Sequence, residues 1–196
     1  MNDVVTDSQS AAAILPGTPP QILGPFYPFM HTPTDSGDLT GGGRALGTVL
    51  YLSGRILARD GQPVAGASVE VWQANAGGRY THPNDDNTAA PLDENFHGFA
   101  VTTTDGEGRY AFKTVRPAAY PAAPGRWRPA HIHFCVTSRH ERLVTQMYFK
   151  GDAYNETDSW LNSASRKDLL IVDPTPAVGK EPNALAVTFD IVLMRA

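Results

Sequence analysis

Short runs of β-favouring residues alternate with turns built from Gly, Pro and Asp along most of the chain. In a strand, successive side chains point to opposite faces, so each run can bury one face against a partner sheet. Seven such runs, separated by turn signals, favour two packed sheets over a helical fold. The sequence therefore predicts an all-β fold, an antiparallel β-sandwich. The runs are residues 49–58, 67–74, 98–104, 109–115, 131–137, 143–149 and 184–194.

Turn signals also predict how neighbouring runs connect. Asp60-Gly61 follows the first run, so the first two runs are expected to pair as a hairpin. The motif DGEG between the third and fourth runs predicts a second hairpin. Residues 158–170 have helical spacing, with Asp158 as the expected N-cap.

The first 46 residues differ in composition from the rest of the chain. Residues 1–46 are rich in Pro, Gly, Thr and Asp, without helical or strand periodicity, and are expected to form an irregular N-terminal arm. Residues 47–196 are expected to form the β-sandwich domain, which would carry the functional site. Its connections at 75–97 and 116–130 exceed plain hairpin loops, and long loops on a rigid scaffold commonly carry function. These two are the expected active-site loops.

Composition narrows the function classes. A net charge of −4 and a pI of about 5.8, without a Lys/Arg run, argue against nucleic-acid binding. The single cysteine, Cys135, excludes an internal disulfide and fits a reducing compartment. No segment approaches the roughly 20 apolar residues of a membrane span, and the acidic N-terminus does not resemble a signal peptide. A cytoplasmic protein that binds neither nucleic acid nor membrane is expected.

The segment RWRPAHIHFCV at 126–136 places two histidines in an otherwise apolar strand. His131 and His133 are two residues apart, so both point to one face, as does Cys135. Two imidazoles on one face can bind one metal ion, although surface or core histidines are the plain alternative. Cys135 fits a small buried hydrophobic residue better than a ligand.

Both long loops carry a tyrosine that could complete a metal site. Tyr80 and Tyr120 offer two phenols. A tyrosine hydroxyl has a pKa of about 10, so only a strong Lewis acid keeps it deprotonated at neutral pH. Trivalent iron is such a Lewis acid, and the anionic phenolate oxygen suits it as a ligand. The donor set lacks the cysteines of structural zinc and the carboxylate of Fe(II) oxygenases. Packing is the plain alternative for either tyrosine, and His82 is a rival ligand. Tyr110 and Tyr148, inside strands, are predicted to be core residues.

An ordered series of motifs beyond about residue 20 resembles the intradiol ring-cleavage dioxygenases, the iron-bearing β subunits of that family in particular. The series is far more specific than a lone His-x-His pair. It implies a non-haem Fe(III) cofactor. The motifs are GPFYP, GRALG, LSGRIL, VEVWQANAGGRY, APLDENF, DGEGRYAF, RPAAYP, WRPAHIHF, LVTQMYFKGD and FDIVL.

The resemblance also implies the ligands. By position, Tyr80 and Tyr120 match the phenolate ligands, and His131 and His133 match the imidazole ligands. In that family the tyrosine that matches Tyr120 leaves the metal when substrate binds. His82 has no counterpart among the metal ligands.

Three further residues match family positions near the substrate. Arg128 matches an arginine that lies beside the bound substrate. Gln146 matches a polar residue that contacts the residues around the metal, and Tyr27 matches a residue that lines the substrate pocket. The implied reaction cleaves a catechol between its two hydroxyl-bearing carbons with O2, giving a cis,cis-muconate-type dicarboxylate.

Protocatechuate is the expected substrate, with catechol and hydroxyquinol as alternatives. The loop from Tyr120 to Arg128 is shorter than expected for a protocatechuate enzyme, and Ala122 replaces a usual aromatic residue. The resemblance implies an oligomer, with a homologous alpha subunit as a candidate partner. Two other interpretations are a non-enzymatic β-sandwich binding module and a zinc hydrolase that uses the histidine pair.

Overall fold

The computed structural model describes residues 14–29, 33 and 37–195, and its regular elements are almost all strands. Two five-stranded sheets form the scaffold, and β5 and β6 form a separate two-stranded sheet. This confirms the predicted β-sandwich. The strands are β1 (Val49–Ala58), β2 (Ser68–Gln73), β3 (Phe99–Thr103), β4 (Arg109–Val115), β5 (Tyr120–Ala123), β6 (Arg126–Arg128), β7 (His131–Thr137), β8 (Arg142–Phe149), β9 (Ile171–Val172), β10 (Thr175–Pro176), β11 (Leu185–Thr188) and β12 (Ile191–Leu193).

The first sheet is built around β1. Strand β4 pairs antiparallel with it, whereas β11 and β12 run parallel to it. The second sheet has the order β3-β2-β7-β8-β9, and only the short β9 is parallel to its neighbour. The sandwich is therefore mainly antiparallel, with parallel pairs where the later part of the chain returns beside β1 and β8.

Strand β7 is buried on both of its faces. Ile132 and Phe134 point into the apolar core between the two sheets. His131 and His133 lie on the other face, which is also buried: a side chain at Gly24 in the N-terminal segment would lie 3.1 Å from the His133 ring. The histidine pair therefore lies on the outer face of the second sheet, beneath the arm.

Both predicted hairpins are wrong. Strand β2 pairs with β3 and β7, not with β1, and β4 pairs with β1, not with β3. The turn at Asp60-Gly61 does form, since Ala58 N–H donates to the Gln62 carbonyl at 2.8 Å, but the chain then crosses to the other sheet. Both edges of β1 are taken by β4 and by β11 with β12, which leaves no edge for β2.

The predicted helical segment forms as two short pieces. Helix α1 spans Ser159–Ser163, and a 3-10 helix spans Lys167–Leu170. Asp158 is the N-cap, as predicted, and its Oδ1 accepts from Leu161 N–H at 2.8 Å. Among the residues that the structure describes, no helix combines the length and apolarity that crossing a bilayer requires.

The described part of the arm has no helix or strand, as predicted, and it ties the two sheets together. Thr18 N–H donates to the Val192 carbonyl of β12 at 3.0 Å, and Gln21 N–H donates to the Val144 carbonyl of β8 at 2.9 Å. Leu39 is fully buried in the main core. The domain division at 46/47 stays a prediction.

Candidate active site

The two histidines of β7 meet at their Nε2 atoms. His131 Nε2 lies 3.1 Å from His133 Nε2, and each side chain is only 2% exposed. Trp72 of β2, opposite His133 in register, stacks on its ring with centroids 4.7 Å apart and planes 11° apart. The strand period and the indole stack together orient both imidazoles toward one point.

Both imidazoles are suited to bind a cation as neutral ligands. His131 Nδ1 lies 2.8 Å from the Pro129 carbonyl, which can only accept, so Nδ1 carries the proton and the Nε2 lone pair points into the site. Burial lowers the pKa of His131 and of His133 well below its usual value, and the charge of Arg128 lowers both further. Both rings are therefore neutral at physiological pH.

Tyr80 reaches the histidines from the first long loop. Its hydroxyl lies 3.4 Å from His131 Nε2, and its N–H donates to Asp85 Oδ2 at 2.7 Å. The loop closes tightly on the second long loop: at Gly78, where φ is +80°, a Cβ would lie 2.5 Å from the Ala119 carbonyl oxygen. A glycine is thus required where the two tyrosine-bearing loops meet.

Tyr120 completes the group from the start of β5. Its ring centroid lies 5.5 Å from that of Tyr80 and 5.6 Å from that of His131. Burial raises the pKa of Tyr80 well above its usual value and also raises the pKa of Tyr120. Without a strong cation both phenols therefore stay protonated. The structure brings together all four residues predicted as ligands.

Arg128 lies against the histidine pair and is almost fully buried. Its Nη1 lies 3.1 Å from His131 Nε2, and its Nη2 donates to Gln146 Oε1 at 2.8 Å and to the Tyr148 hydroxyl at 3.0 Å. Its Nε donates to Asp158 Oδ2 at 3.0 Å. Of its donor groups, Nη1 is the one directed at His131 Nε2.

The donor set fits a hard, trivalent metal. One lone pair on His131 Nε2 is approached by Arg128 Nη1, the Tyr80 hydroxyl and His133 Nε2. His133 Nδ1 is buried without a hydrogen-bond partner in the described part of the chain. Within that part no three His, Cys, Asp or Glu residues form a cluster that could hold a metal ion, and the oxygen donors beside the two imidazoles are the phenols of Tyr80 and Tyr120. Two neutral imidazoles and two phenols suit Fe(III) better than zinc.

A family model described as Dioxygenase matches residues 22–195, nearly the whole chain. The chain belongs to the intradiol dioxygenase family. It is 47% identical over 158 residues to the protocatechuate 3,4-dioxygenase beta chain of Burkholderia cepacia, covering 77% of this chain and 66% of that protein. It is 34% identical over 162 residues to catechol 1,2-dioxygenase 2 of Acinetobacter lwoffii, covering 76% and 57%. The chain therefore spans less than two thirds of the length of either relative.

Solved structures show the same fold. Catechol 1,2-dioxygenase from Pseudomonas arvilla superposes with a TM-score of 0.73 at 30% identity, covering 92% of this chain and 63% of that one. The 3-chlorocatechol 1,2-dioxygenase of Rhodococcus opacus gives 0.76 at 23% identity, covering 95% and 76%, which supports the fold alone. Intradiol dioxygenases use non-haem Fe(III), the metal that this donor set fits.

The other residues singled out by the family resemblance have different surroundings. Gln146 is fully buried, accepts from Arg128, and donates to the Ile22 carbonyl at 2.8 Å. Tyr27 packs edge-on against Trp72 at 5.0 Å, and its hydroxyl donates to Glu70 Oε2 at 2.5 Å. Tyr27 therefore contacts the indole that stacks on His133.

Two residues weighed as possible ligands lie elsewhere in the site. His82 packs beside Phe26 at 5.7 Å between ring centroids, lines a cavity of about 80 Å³, and accepts from Asn84 N–H at Nδ1. Cys135 is a fully buried member of an apolar cluster, as predicted, and its Sγ accepts from Arg142 Nε at 3.2 Å.

Three residues near the candidate site were not predicted from the sequence to lie there. Tyr148 is fully buried, as predicted for a core residue, but its hydroxyl also accepts from Arg128. Asp158 was predicted as an N-cap and also pairs with Arg128, while the Trp160 ring packs 4.6 Å from the Arg128 Cζ. The sequence contained one indication for Tyr148: it follows Gln146 by two residues in the same strand, so both side chains lie on one face of the sheet.

Proposed function

We propose that this chain is the iron-bearing catalytic chain of an intradiol dioxygenase, with Tyr80, Tyr120, His131 and His133 as the ligands of non-haem Fe(III). The observation that carries the proposal is the convergence on His131 Nε2, where a second imidazole, a phenol and a buried arginine meet within 3.4 Å. Two imidazole Nε2 atoms that face each other beside a neutral phenol are costly to bury unless a metal ion binds between them. The reaction is cleavage of a catechol between its hydroxyl-bearing carbons with O2, giving a cis,cis-muconate-type dicarboxylate.

Bound ferric iron would supply a Lewis acid that keeps phenols ionised and withdraws electron density from a chelated catechol. Tyr120 is the ligand suited to give way to substrate, because it stands on the separate two-stranded sheet rather than on the sandwich. Its phenolate oxygen would accept a proton from the incoming catechol hydroxyl. Tyr80 is held within its own loop, because its N–H donates to Asp85 Oδ2 at 2.7 Å.

Arg128 is proposed as the electrostatic catalyst. Its Nη1 is directed at His131 Nε2, so it is well placed to stabilise negative charge that develops on the bound ring. Gln146 and Tyr148 hold Nη2 at 2.8 and 3.0 Å, which fixes the guanidinium before substrate arrives. A preformed, buried charge needs little reorganisation during the reaction.

Protocatechuate is the proposed substrate, supported by 47% identity to a protocatechuate 3,4-dioxygenase beta chain against 34% to a catechol enzyme. Because that relative is named a beta chain, we also propose an oligomer that includes a homologous alpha subunit. The single cysteine supports a cytoplasmic location. Tyr27 is proposed to line the substrate pocket through its packing on Trp72.

The test combines metal analysis with oxygen uptake on protocatechuate, catechol and hydroxyquinol, and with product identification. About one iron per chain and a muconate-type dicarboxylate are expected. His131→Gln should lose iron and activity, whereas His140→Gln, at an exposed turn, should keep both. An iron-loaded protein that consumes no oxygen with any catechol contradicts the proposal, as does an extradiol product. A protein that binds no metal supports the binding-module interpretation.

A further inference from the structure

The β5–β6 hairpin carries a second arginine beside the site. Arg126 and Arg128 are two residues apart on β6, so both side chains leave the same face of the strand. In the hairpin register Tyr120 is opposite Arg128, whereas Arg126 is opposite Ala123 near the turn. Arg128 is buried and Arg126 is exposed. The hairpin therefore extends from Tyr120 and the buried Arg128, next to the histidines, to the exposed Arg126 near its turn.

Trp160 of α1 holds both guanidinium groups. The Arg128 Cζ lies 4.6 Å and the Arg126 Cζ 4.5 Å from the centroid of its ring. Sharing one ring centroid keeps the two Cζ atoms within about 9 Å of each other. An indole face attracts a guanidinium, and this offsets the repulsion between two cations held so close. The outer arginine is thereby fixed near the inner one.

The two arginines differ in how their charge is balanced. Arg128 is paired with Asp158 in a buried ion pair at 3.0 Å. Arg126 makes neither an ion pair nor a side-chain hydrogen bond with any residue that the structure describes, although the chain has a net charge of −4. The exposed guanidinium of Arg126, with its Cζ over the Trp160 ring, therefore has N–H donors available for a bidentate carboxylate.

We propose that Arg126, on its Trp160 platform, binds a carboxylate carried by the aromatic substrate while Arg128 serves the catechol end. This rests on the proposed function above. The separation of at most about 9 Å between the two guanidinium carbons is one that a single substituted ring can bridge. The substrate class is then a catechol with an anionic substituent away from its hydroxyls. The positive charge that binds the anionic substituent is then that of Arg126, a residue of this chain.

The experiment compares 3,4-dihydroxybenzoate with its neutral amide, 3,4-dihydroxybenzamide. In Arg126→Gln the ratio of kcat/KM for the acid to kcat/KM for the amide should fall about ten-fold, the range of one charge-assisted hydrogen bond. Arg126→Lys should lower this ratio less than Arg126→Gln does. Lysine keeps the positive charge but lacks the planar guanidinium that can donate two hydrogen bonds to one carboxylate. Arg139→Gln, which removes the same charge at an exposed position beyond the far end of β7, should leave the ratio unchanged.

Binding without turnover provides an independent measurement. Calorimetric titration with 4-hydroxybenzoate should show about ten-fold weaker binding to Arg126→Gln than to the wild type, with a smaller change for 4-hydroxybenzamide. The preference of the wild type for the acid should decline with added salt, because an exposed ion pair is screened. If Arg126→Gln matches Arg139→Gln in both measurements, the assignment of Arg126 is wrong.

The two proposals fail in different ways. A wild-type protein that cleaves both dihydroxy compounds, with an acid-to-amide ratio that Arg126→Gln leaves intact, overturns the role of Arg126 and leaves the dioxygenase activity standing. A wild-type protein loaded with iron that cleaves neither compound overturns the proposed function and this inference with it.

Discussion

The carboxylate of Asp158 links the guanidinium of Arg128 to helix α1. Its Oδ2 accepts from Arg128 Nε at 3.0 Å, and its Oδ1 accepts from Leu161 N–H at 2.8 Å. The two side chains of the ion pair are only 3% and 1% exposed. Because the same carboxylate caps the helix that carries Trp160, one side chain orients the arginine and also positions the ring that packs on it.

Asp158→Asn should impair catalysis without removing the helix cap. Asparagine caps a helix about as well as aspartate, but it leaves the buried Arg128 charge unpaired. We expect kcat to fall by up to about 10²-fold, the cost of misplacing a catalytic group by about 1 Å, and KM to change less. Steady-state kinetics and thermal unfolding measure this. Asp158→Ala should lose about 1 kcal/mol more stability with the cap. A variant Asp158→Asn with wild-type kcat would show that the pair does not position Arg128.

Arg128→Leu should lower kcat by about 10²- to 10³-fold, the usual cost of losing an electrostatic catalyst. It also strands the buried Asp158 carboxylate, so the single variant should be unstable. The double variant Arg128→Leu/Asp158→Asn removes both buried charges and should regain most of the stability while staying inactive. Kinetics and urea unfolding of the three proteins separate the two effects. Recovery of kcat in the double variant contradicts a catalytic role for Arg128.

Tyr120→Phe should retain iron but bind catechols slowly. Tyr120 is proposed as the ligand that accepts a proton and gives way, so its loss removes the acceptor while three ligands remain. Stopped-flow mixing with catechol, alongside metal analysis, measures both properties. Tyr110→Phe is the control, because Tyr110 is a buried tyrosine whose hydroxyl donates to the Phe189 carbonyl in the core. Loss of all iron from Tyr120→Phe would contradict the assignment.

The iron-loaded protein should be reddish-brown, from charge transfer between phenolate and iron. Removal of iron with a chelator should bleach the colour and lower the melting temperature, since an ion that binds only the folded state stabilises it by mass action. Visible spectra and thermal unfolding of loaded and stripped samples measure this. Tyr80→Phe should change the spectrum more than Tyr110→Phe. A colourless sample with full iron occupancy excludes phenolate ligation.

Acid should destabilise the protein partly through Glu181. Hydrogen bonds from Tyr51 at 2.6 Å and Lys113 at 2.9 Å lower the pKa of Glu181 from 4.5 to about 2. The folded pKa lies below the unfolded one, so this stabilisation is complete above about pH 4.5 and is lost as pH falls toward 2. Urea unfolding across this window should show a steeper loss for the wild type than for Glu181→Gln. Glu94→Gln, at an exposed position, should follow the wild type. Parallel curves for the wild type and Glu181→Gln exclude the effect.

Local features of the fold could be predicted because they depend on neighbours in the chain. The alternation of strand side chains places His131 and His133 on one face whatever the sheet order is. The cap at Asp158 likewise depends on the next three residues, and it formed as predicted. The pairing of strands could not be predicted in this way. Whether β1 and β2 pair as a hairpin or lie in different sheets, the same side chains face the core. The pattern of side chains in these two strands therefore does not show which connection forms.

The candidate site shows the same division. Residue types and spacing were enough to indicate two imidazoles, two phenols and an arginine, because ligand chemistry and strand period are properties of the residues themselves. Their convergence within a few ångströms, and the pairing of Arg128 with Asp158 thirty residues away, depend on packing of distant segments. Long-range contacts arise when the sheets and loops close on one another, and no short stretch of the chain encodes that closure.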